Sequence, residues 1–253
     1  MLLLTSPSGG MHSCRRWGKI AVEFPTRLLY FWHVSVATLH AHNEPGRMTK
    51  VKICGITTSV DARVAVAAGA DMIGLIFYPP SPRYVTPEQA QTIVASLPAE
   101  VAAVGVFVNE SVDTVTRVAR ASGVQIVQLH GAESPALCQQ LPWPVFKTLR
   151  FTAQVQPEMM RQYAVEAFLI EGFHAEVYGG GGARADWPRV AALHHYGRII
   201  LAGGLTPENV REAIRIVQPY AVDVCSGVEA TPGTKDWHKV GAFVHNAKNA
   251  VVP

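Results

Sequence analysis

Cysteine is scarce in this 253-residue sequence: there are four, with no C-x-x-C pair and no histidine–cysteine spacing typical of a metal site. This scarcity excludes a disulfide scaffold and a zinc ribbon, and it is typical of the reducing cytoplasm. No stretch has the roughly 18 consecutive apolar residues that cross a bilayer, and no signal-peptide pattern is present. We therefore expect a cytoplasmic protein without a membrane partner.

An excess of charge of one sign is also absent from most of the chain. The net charge is +3, and residues 1–47 account for all of it, because residues 48–253 hold 17 basic and 17 acidic residues. Such a neutral body lacks the basic stripe of a nucleic-acid-binding protein. The 49% of hydrophobic residues can fill a core, which excludes intrinsic disorder of the whole chain. No heptad or exposed apolar helix is visible, so we expect a monomer.

Residues 1–47 show little helix or strand periodicity and end in a breaker cluster, Glu44-Pro45-Gly46-Arg47. One interpretation is a targeting or partner-binding arm. The simpler one is that Met48 is the translation start and that the preceding residues are an extension of doubtful order. We expect the folded domain to occupy residues 48–253.

From Met48 onward, short β-branched runs alternate eight times with amphipathic stretches. The expected strands are 51–55, 72–77, 102–108, 124–129, 145–148, 167–171, 198–202 and 220–224. The expected helices are 59–69, 87–97, 112–122, 134–141, 156–163, 187–195, 207–217 and 236–249. Thr86, Ser111, Ser134 and Thr206 are candidate N-caps. This order predicts an α/β fold, a single compact (β/α)8 TIM barrel, with an open doubly wound sheet as the alternative.

In such a barrel, the residues that follow the strands form the site. Cys54 follows strand 1 and is either a nucleophile or base, or a small buried hydrophobe. Arg83, in a proline-rich loop after strand 2, either binds an anionic group or is a solvated surface residue. His130, after strand 4, either binds substrate or contacts a neighbouring loop. Glu171 ends strand 6 after apolar residues, where an unpaired charge is costly to bury.

Glycine follows strands 7 and 8, as Gly203-Gly204 and as Ser226-Gly227. Loops at these two positions commonly bind phosphate in barrels, because glycine lets backbone N–H groups approach the anion. The other interpretation is that these glycines only end tight turns. The run 178–182 adds four glycines but lacks the lysine of a nucleotide-binding loop. A candidate base, a candidate acid and two candidate phosphate-binding loops, in a sequence without a metal site, suggest proton-transfer chemistry on a sugar phosphate.

The same segments make the chain resemble the phosphoribosylanthranilate isomerase family of tryptophan biosynthesis. The resemblance covers about residues 50–249 and rests on several long motifs in the family's order. They are Lys52-Ile-Cys-Gly-Ile-Thr57, Gly74-Leu-Ile-Phe-Tyr78 with Ser81-Pro-Arg-Tyr84, Gly105-Val-Phe-Val-Asn109, Gln128-Leu-His-Gly131, Gly203-Gly-Leu-Thr-Pro-Glu-Asn-Val210 and Ala221-Val-Asp-Val-Cys-Ser-Gly-Val-Glu229.

The resemblance implies an Amadori rearrangement of N-(5′-phosphoribosyl)anthranilate, an aldose-to-ketose isomerisation by acid–base catalysis without a cofactor. It also implies a role for each matching position. The catalytic pair would be Cys54 as base and Glu171 as acid. Arg83, His130 and Asp223 would contact or support the substrate. The phosphate would lie on Gly203, Gly204, Ser226 and Gly227.

The chain departs from the family's pattern at three positions. Glu171 stands where the family usually has aspartate, which moves the carboxyl by roughly an ångström and would cost about 10²-fold if uncompensated. We expect the loop 172–182 to recede in compensation. Gly181 replaces a threonine or serine. Cys225 replaces a small polar residue, a change from which we expect little effect.

An acid and a base working at neutral pH also require shifted pKa values. We expect burial beside Phe168 and Leu169 to raise the pKa of Glu171. Lys52 would lower the pKa of Cys54, although we expect the two to share a face of the strand only if a bulge intervenes.

Two other functions compete with this interpretation. A histidine-pathway isomerase would have paired aspartates after strands 1 and 5, where this chain has Cys54 and Lys147-Thr148. A barrel that binds a phosphorylated ligand without turnover would not need a thiol base.

Overall fold

The computed structural model describes residues 48–151, 157–172 and 186–251. Eight parallel strands close into a barrel in chain order, so the (β/α)8 prediction is confirmed and the open sheet is wrong. The strands are β1 (Lys50–Ile53), β2 (Met72–Ile76), β3 (Ala102–Phe107), β4 (Ile126–Leu129), β5 (Val145–Phe151), β6 (Ala167–Gly172), β7 (Ile199–Leu201) and β8 (Ala221–Val224). The extension 1–47 lies outside the described residues.

Helices connect successive strands on the outside of the barrel. The α-helices are α1 (Ser59–Ala67), α2 (Pro87–Ala95), α3 (Val112–Ser122), α4 (Pro135–Gln139), α5 (Trp187–Ala191), α6 (Val210–Val217) and α7 (Trp237–Lys248). Within the described residues, three short 3₁₀ helices cover Pro157–Gln162, His194–Tyr196 and Ser226–Val228. None of the helices within the described ranges is long and apolar enough to cross a membrane.

The helix starts follow the capping chemistry of the sequence in most places. Thr86 accepts a bond from the N–H of Gln89, whose side chain in turn accepts from the N–H of Thr86, so the capping box of α2 is present. Ser111 and Ser134 cap α3 and α4. Helix α6 instead begins at Val210, three residues later than predicted.

Three further elements differ from expectation. The predicted helix at 187–195 is α5 (Trp187–Ala191) followed by a 3₁₀ helix at His194–Tyr196. The predicted helix at 156–163 is a 3₁₀ helix over Pro157–Gln162. A short antiparallel hairpin, β9 (Glu229–Thr231) with β10 (Thr234–Lys235), follows β8 and was not predicted. This hairpin brings Glu229 and Lys235 towards the carboxyl ends of the strands.

The apolar core has two layers, because alternate residues of each strand point to opposite faces. The larger layer lies between strands and helices and includes Ile53, Phe107 and Trp187. The smaller one fills the barrel interior and includes Phe146, Leu169 and Ile200. The interior positions near the carboxyl ends of the strands are polar, and these form the candidate site.

Candidate active site

The base candidate, Cys54, follows β1 directly and is 6% exposed. Lys52 lies two residues earlier, so both side chains enter the barrel without a bulge, and our expectation that one was needed is wrong. The ammonium of Lys52 donates to Asp223 Oδ1 at 3.0 Å and also hydrogen-bonds the thiol. Strand register explains the first contact, since Lys52 and Asp223 are paired Cα positions of β1 and β8.

These contacts change the acidity of both groups. The pKa of the Cys54 thiol is held well below its ordinary value by a hydrogen bond from Cys225 and, against the cost of burial, by the charge of Lys52. Burial raises the pKa of Asp223 to about 7, although Lys52 opposes this. The site therefore holds a stabilised thiolate beside a carboxyl group that titrates near neutrality.

Arg83 reaches the same end of the barrel and pairs with Glu229. Its Nε and Nη2 donate to the two carboxylate oxygens at 2.8 and 2.7 Å, a bidentate arrangement that fixes the guanidinium plane. Glu229 also accepts from Lys235 Nζ at 3.1 Å and from the N–H of Gly233 at 3.3 Å. One edge of the Arg83 fork is thus occupied by Glu229.

The acid candidate, Glu171, lies at the end of β6 and is 8% exposed. His130 Nε2 is 3.0 Å from its Oε1, and Arg150 Nε is 3.6 Å from the same oxygen. Arg150 and Glu171 are paired Cα positions of β5 and β6, so they share a face. His130 Nδ1 accepts from Gln128 Nε2 at 3.1 Å and lies 3.3 Å from Thr148 Oγ1.

The direction of the pKa shift of Glu171 is opposite to our expectation. Burial raises its pKa, but His130 and Arg150 together outweigh burial and hold the pKa below its ordinary value. The apolar neighbours in the sequence indicated only the burial contribution. The imidazole and the guanidinium come from the ends of strands 4 and 5, and only the closed barrel brings them to Glu171.

The predicted phosphate loops lie side by side. Gly203 and Gly204 have φ of 83° and 63°, the left-handed conformation that glycine adopts without strain. A side chain at Gly227 would overlap the carbonyl oxygen of Leu205, so the second loop packs directly on the first. Ser226 opens the 3₁₀ helix after β8 and is exposed, available to donate to an anion.

A buried ion pair holds the loop that carries His130. Lys147 Nζ donates to Glu133 Oε2 at 2.9 Å and to the carbonyl of Gly131 at 2.8 Å. Glu133 also accepts from the N–H groups of Asn109 and Gly131. Both side chains of the pair are at most 2% exposed. We expected Lys147 near the end of strand 5, where a histidine-pathway isomerase would have aspartate, but β5 continues to Phe151 and Lys147 is a structural residue within it.

Replacing Lys147 by methionine is expected to lower the free energy of unfolding by about 3–5 kcal/mol, because it leaves the Glu133 carboxylate buried and unpaired. Urea denaturation measures this. The matched control is Lys248→Met, which breaks the more exposed pair with Asp71 and should cost under about 1 kcal/mol. Equal losses in the two variants would contradict a stabilising role of burial at Lys147.

Several residues of the site carried no prediction of their own. Glu229 was seen only as part of a motif, since its partner Arg83 lies 146 positions away. Cys225, from which we expected little effect, contacts Cys54. Asn209 accepts from the N–H of Thr206 and donates to the carbonyl of Gly204, which ties down the first glycine loop. The glycine run 178–182 and most of the loop 172–182 lie outside the described residues.

A closed barrel whose strand ends gather a thiolate, carboxyl groups and two glycine loops defines an enzyme of acid–base chemistry on a small anionic substrate. The family model described as "N-(5'phosphoribosyl)anthranilate (PRA) isomerase" matches residues 51–246. The chain belongs to the N-(5′-phosphoribosyl)anthranilate isomerase family and is an isomerase.

Relatives support this membership over nearly their whole length. The N-(5′-phosphoribosyl)anthranilate isomerases of Geobacter sp. (strain M21) and Geobacter sulfurreducens are 49% and 47% identical over 201 residues. These residues are 79% of this chain and 98% and 99% of those proteins.

Solved structures of the family have the same fold. The phosphoribosyl anthranilate isomerase of Thermotoga maritima is 41% identical, with a TM-score of 0.72 over 79% of this chain and 99% of its own. Another phosphoribosyl anthranilate isomerase, 40% identical with a TM-score of 0.69 and the same coverage, was solved with reduced 1-(o-carboxyphenylamino)-1-deoxyribulose 5-phosphate.

Proposed function

We propose that this chain converts N-(5′-phosphoribosyl)anthranilate into 1-(2-carboxyphenylamino)-1-deoxyribulose 5-phosphate, the Amadori step of tryptophan biosynthesis. The observation that carries the proposal is the buried Cys54 thiol, stabilised as a thiolate at the carboxyl end of β1. A base of this kind suits removal of a proton from carbon near neutral pH. The structure of a 40% identical isomerase contains a reduced form of this product, which supports a phosphorylated anthranilate derivative as the substrate of this chain.

The reaction begins with protonation of the furanose ring oxygen. The ring C1′–O bond breaks as the anthranilate nitrogen lone pair forms a Schiff base. We assign the proton to Glu171, whose carboxyl ends β6 and shares a hydrogen bond of 3.0 Å with His130. The lowered pKa of Glu171 means that only a small fraction of the enzyme carries the protonated carboxyl at neutral pH, and that fraction delivers the proton to the ring oxygen.

The second step moves a proton from C2′ to sulfur. The Cys54 thiolate takes the C2′ proton, the electrons of the C–H bond form the C1′–C2′ double bond, and the iminium nitrogen is neutralised. The resulting enolamine tautomerises to the ketose product. Lys52 stabilises the thiolate before the step and is held by Asp223 afterwards. Both steps are proton transfers, so the reaction needs no cofactor and no metal.

The remaining residues hold the two anionic ends of the substrate. We assign Arg83, whose guanidinium plane is fixed by Glu229, to the anthranilate carboxylate. The phosphate is assigned to Gly203, Gly204, Ser226 and Gly227, where the loops after β7 and β8 meet. We expect the enzyme to act as a monomer in the cytoplasm.

The test is the loss of anthranilate fluorescence when purified protein meets freshly made N-(5′-phosphoribosyl)anthranilate. Turnover that is competed by inorganic phosphate is expected. Absence of turnover with intact, phosphate-competed binding would contradict the proposal and favour a barrel that binds without catalysis. The variant Lys248→Met is a suitable control for the assay, because it breaks a partly exposed ion pair away from the carboxyl ends of the strands.

A further inference from the structure

The hairpin that follows β8 carries two charged side chains back over the strand ends. Glu229 opens β9 and Lys235 ends β10, and the two are paired Cα positions. Their side chains are 5% and 0% exposed, and Lys235 Nζ lies 3.1 Å from Glu229 Oε1. Lys235 Nζ also donates to the carbonyl of Cys225 at 3.2 Å, which ties the hairpin to the end of β8. Because charges are costly to bury, this ion pair in a two-stranded hairpin points to a function.

The turn of the hairpin is fixed against two loops of the barrel. Thr57, in the loop after β1, donates through Oγ1 to the carbonyl of Gly233 at 2.7 Å. Gly233 has a φ of +85°, and a Cβ there would lie 3.0 Å from the carbonyl oxygen of Pro82, the residue before Arg83. The hairpin therefore reaches from the end of β8, past the loop after β1, to the loop that carries Arg83.

The Glu229 carboxylate lies between the hairpin and Arg83. Its Oε1 accepts from Lys235 Nζ at 3.1 Å and from the N–H of Gly233 at 3.3 Å, both groups of the hairpin. Arg83 donates from Nε to the same oxygen at 2.8 Å and from Nη2 to Oε2 at 2.7 Å. Burial alone would raise the pKa of Glu229, but Arg83 and Lys235 hold it below its ordinary value. The hairpin thus fixes an ionised carboxylate, and that carboxylate fixes the guanidinium plane.

Lys235 also changes the charge that Arg83 presents. Two cations, Arg83 and Lys235, share the one carboxylate of Glu229, so the three side chains together carry one net positive charge. Asp61 is a further carboxylate beside the hairpin, but its contact with Lys235 is to the backbone N–H, at 3.5 Å. A carboxylate shared in this way does not fully neutralise the guanidinium. An anionic group that approaches Arg83 therefore meets a positive charge held in a fixed orientation.

We propose that Lys235 is a positioning residue for the substrate carboxylate: it holds Glu229, which orients the guanidinium of Arg83, and it takes up part of the Glu229 charge so that Arg83 can attract a second carboxylate. The proposal rests on the proposed function, in which Arg83 binds the anthranilate carboxylate. Lys235 itself does not touch the substrate. Its contribution is the preference of the site for an aromatic amine that carries a carboxylate over one that does not.

The test measures that preference directly in Lys235→Met, which keeps the length of the side chain and removes its charge. Calorimetry gives the Kd of two ligands, reduced 1-(o-carboxyphenylamino)-1-deoxyribulose 5-phosphate and the same compound without its carboxyl group. The ratio of the two Kd values is the carboxylate preference. The matched control is Lys239→Met, because Lys239 is exposed and contacts only the backbone carbonyl of Glu229, at 3.3 Å. Circular dichroism verifies folding, and Lys235→Gln, which keeps a donor for the Cys225 carbonyl, replaces Lys235→Met if that variant does not fold.

In Lys235→Met, the carboxylate preference is expected to fall about tenfold, the effect of one hydrogen bond to an ion. The loss should lie in the affinity for the ligand with the carboxyl group, whereas the Kd of the other ligand stays that of the parent. Lys239→Met should keep the parent ratio. An unchanged ratio in Lys235→Met would overturn the proposal. So would an equal loss of affinity for both ligands, because that is the result of a merely structural role.

The binding measurement needs no turnover, which separates this proposal from the proposed function. A parent protein that prefers the ligand with the carboxyl group but does not turn over substrate would contradict the assigned reaction, and the ratio in Lys235→Met would still decide the role of Lys235. A parent that turns over substrate but binds both ligands equally would overturn the role of Lys235 and leave the reaction in place.

Discussion

Replacing Cys54 by alanine is expected to lower kcat by about 10³-fold, the usual contribution of a positioned general base. Removal of the sulfur leaves no group on β1 that can accept the C2′ proton, because Lys52 is protonated and paired with Asp223. Cys54→Ser should fall by a similar factor, since an alkoxide is far less accessible than a thiolate at neutral pH. The fluorescence assay measures both variants.

Binding and folding are expected to survive these substitutions. The residue's backbone contact, from its N–H to the carbonyl of Val224, does not involve the side chain. Phosphate competition should therefore show a site that still binds ligand. Cys138→Ala, in helix α4, is the matched control, because it removes a buried thiol without touching the site. If Cys54→Ala kept more than a tenth of the parent rate, the base would be another residue.

Glu171→Gln is expected to lower kcat by about 10²- to 10⁴-fold, because the amide cannot pass a proton to the ring oxygen. The amide can still contact His130 and Arg150, so the loss should be in kcat more than in KM. Survival of activity would place the acid elsewhere. Asp223, whose pKa burial raises to about 7, would then be the carboxyl to examine.

Shortening the same side chain tests whether the chain is adapted to glutamate. Glu171→Asp withdraws the carboxylate from His130, now 3.0 Å away, and is expected to lower kcat by about 10²-fold. The control is Glu166→Gln just before the same strand, where Glu166 pairs with Arg198 at the surface. A Glu171→Asp enzyme faster than the parent would mean that the structure has not compensated for the longer side chain.

Much of the fold can be predicted from the sequence, because its signals are local. Eight alternations of β-branched runs and amphipathic stretches predict the barrel, and strand positions agree with the structure within a few residues. The capping box at Thr86 follows from side chains three residues apart. Helix α6 was misplaced because Thr206-Pro207 is a helix-start signal, whereas Asn209 holds this stretch as a turn against Gly204.

The site is different, because its contacts join residues far apart in the chain. Position after a strand was enough to select Cys54, Arg83, His130 and Glu171. It did not reveal that Glu171 contacts both His130 and Arg150, so the sign of its pKa shift was predicted wrongly. Burial can be inferred from apolar neighbours in sequence, but the charges that oppose burial come from other strands.

The sequence by itself determined the eight barrel strands, most of the helices and several of the residues that reach the carboxyl ends of the barrel, since each depends on spacing and chemistry within one β–α unit. Only the tertiary structure decided which of them meet. Lys52 contacts Asp223 across 171 positions because barrel closure makes the first and last strands neighbours. The same closure sets Cys225 beside Cys54. The electrostatic environment of the site is therefore a property of the closed barrel, because charge interactions depend on distances in space.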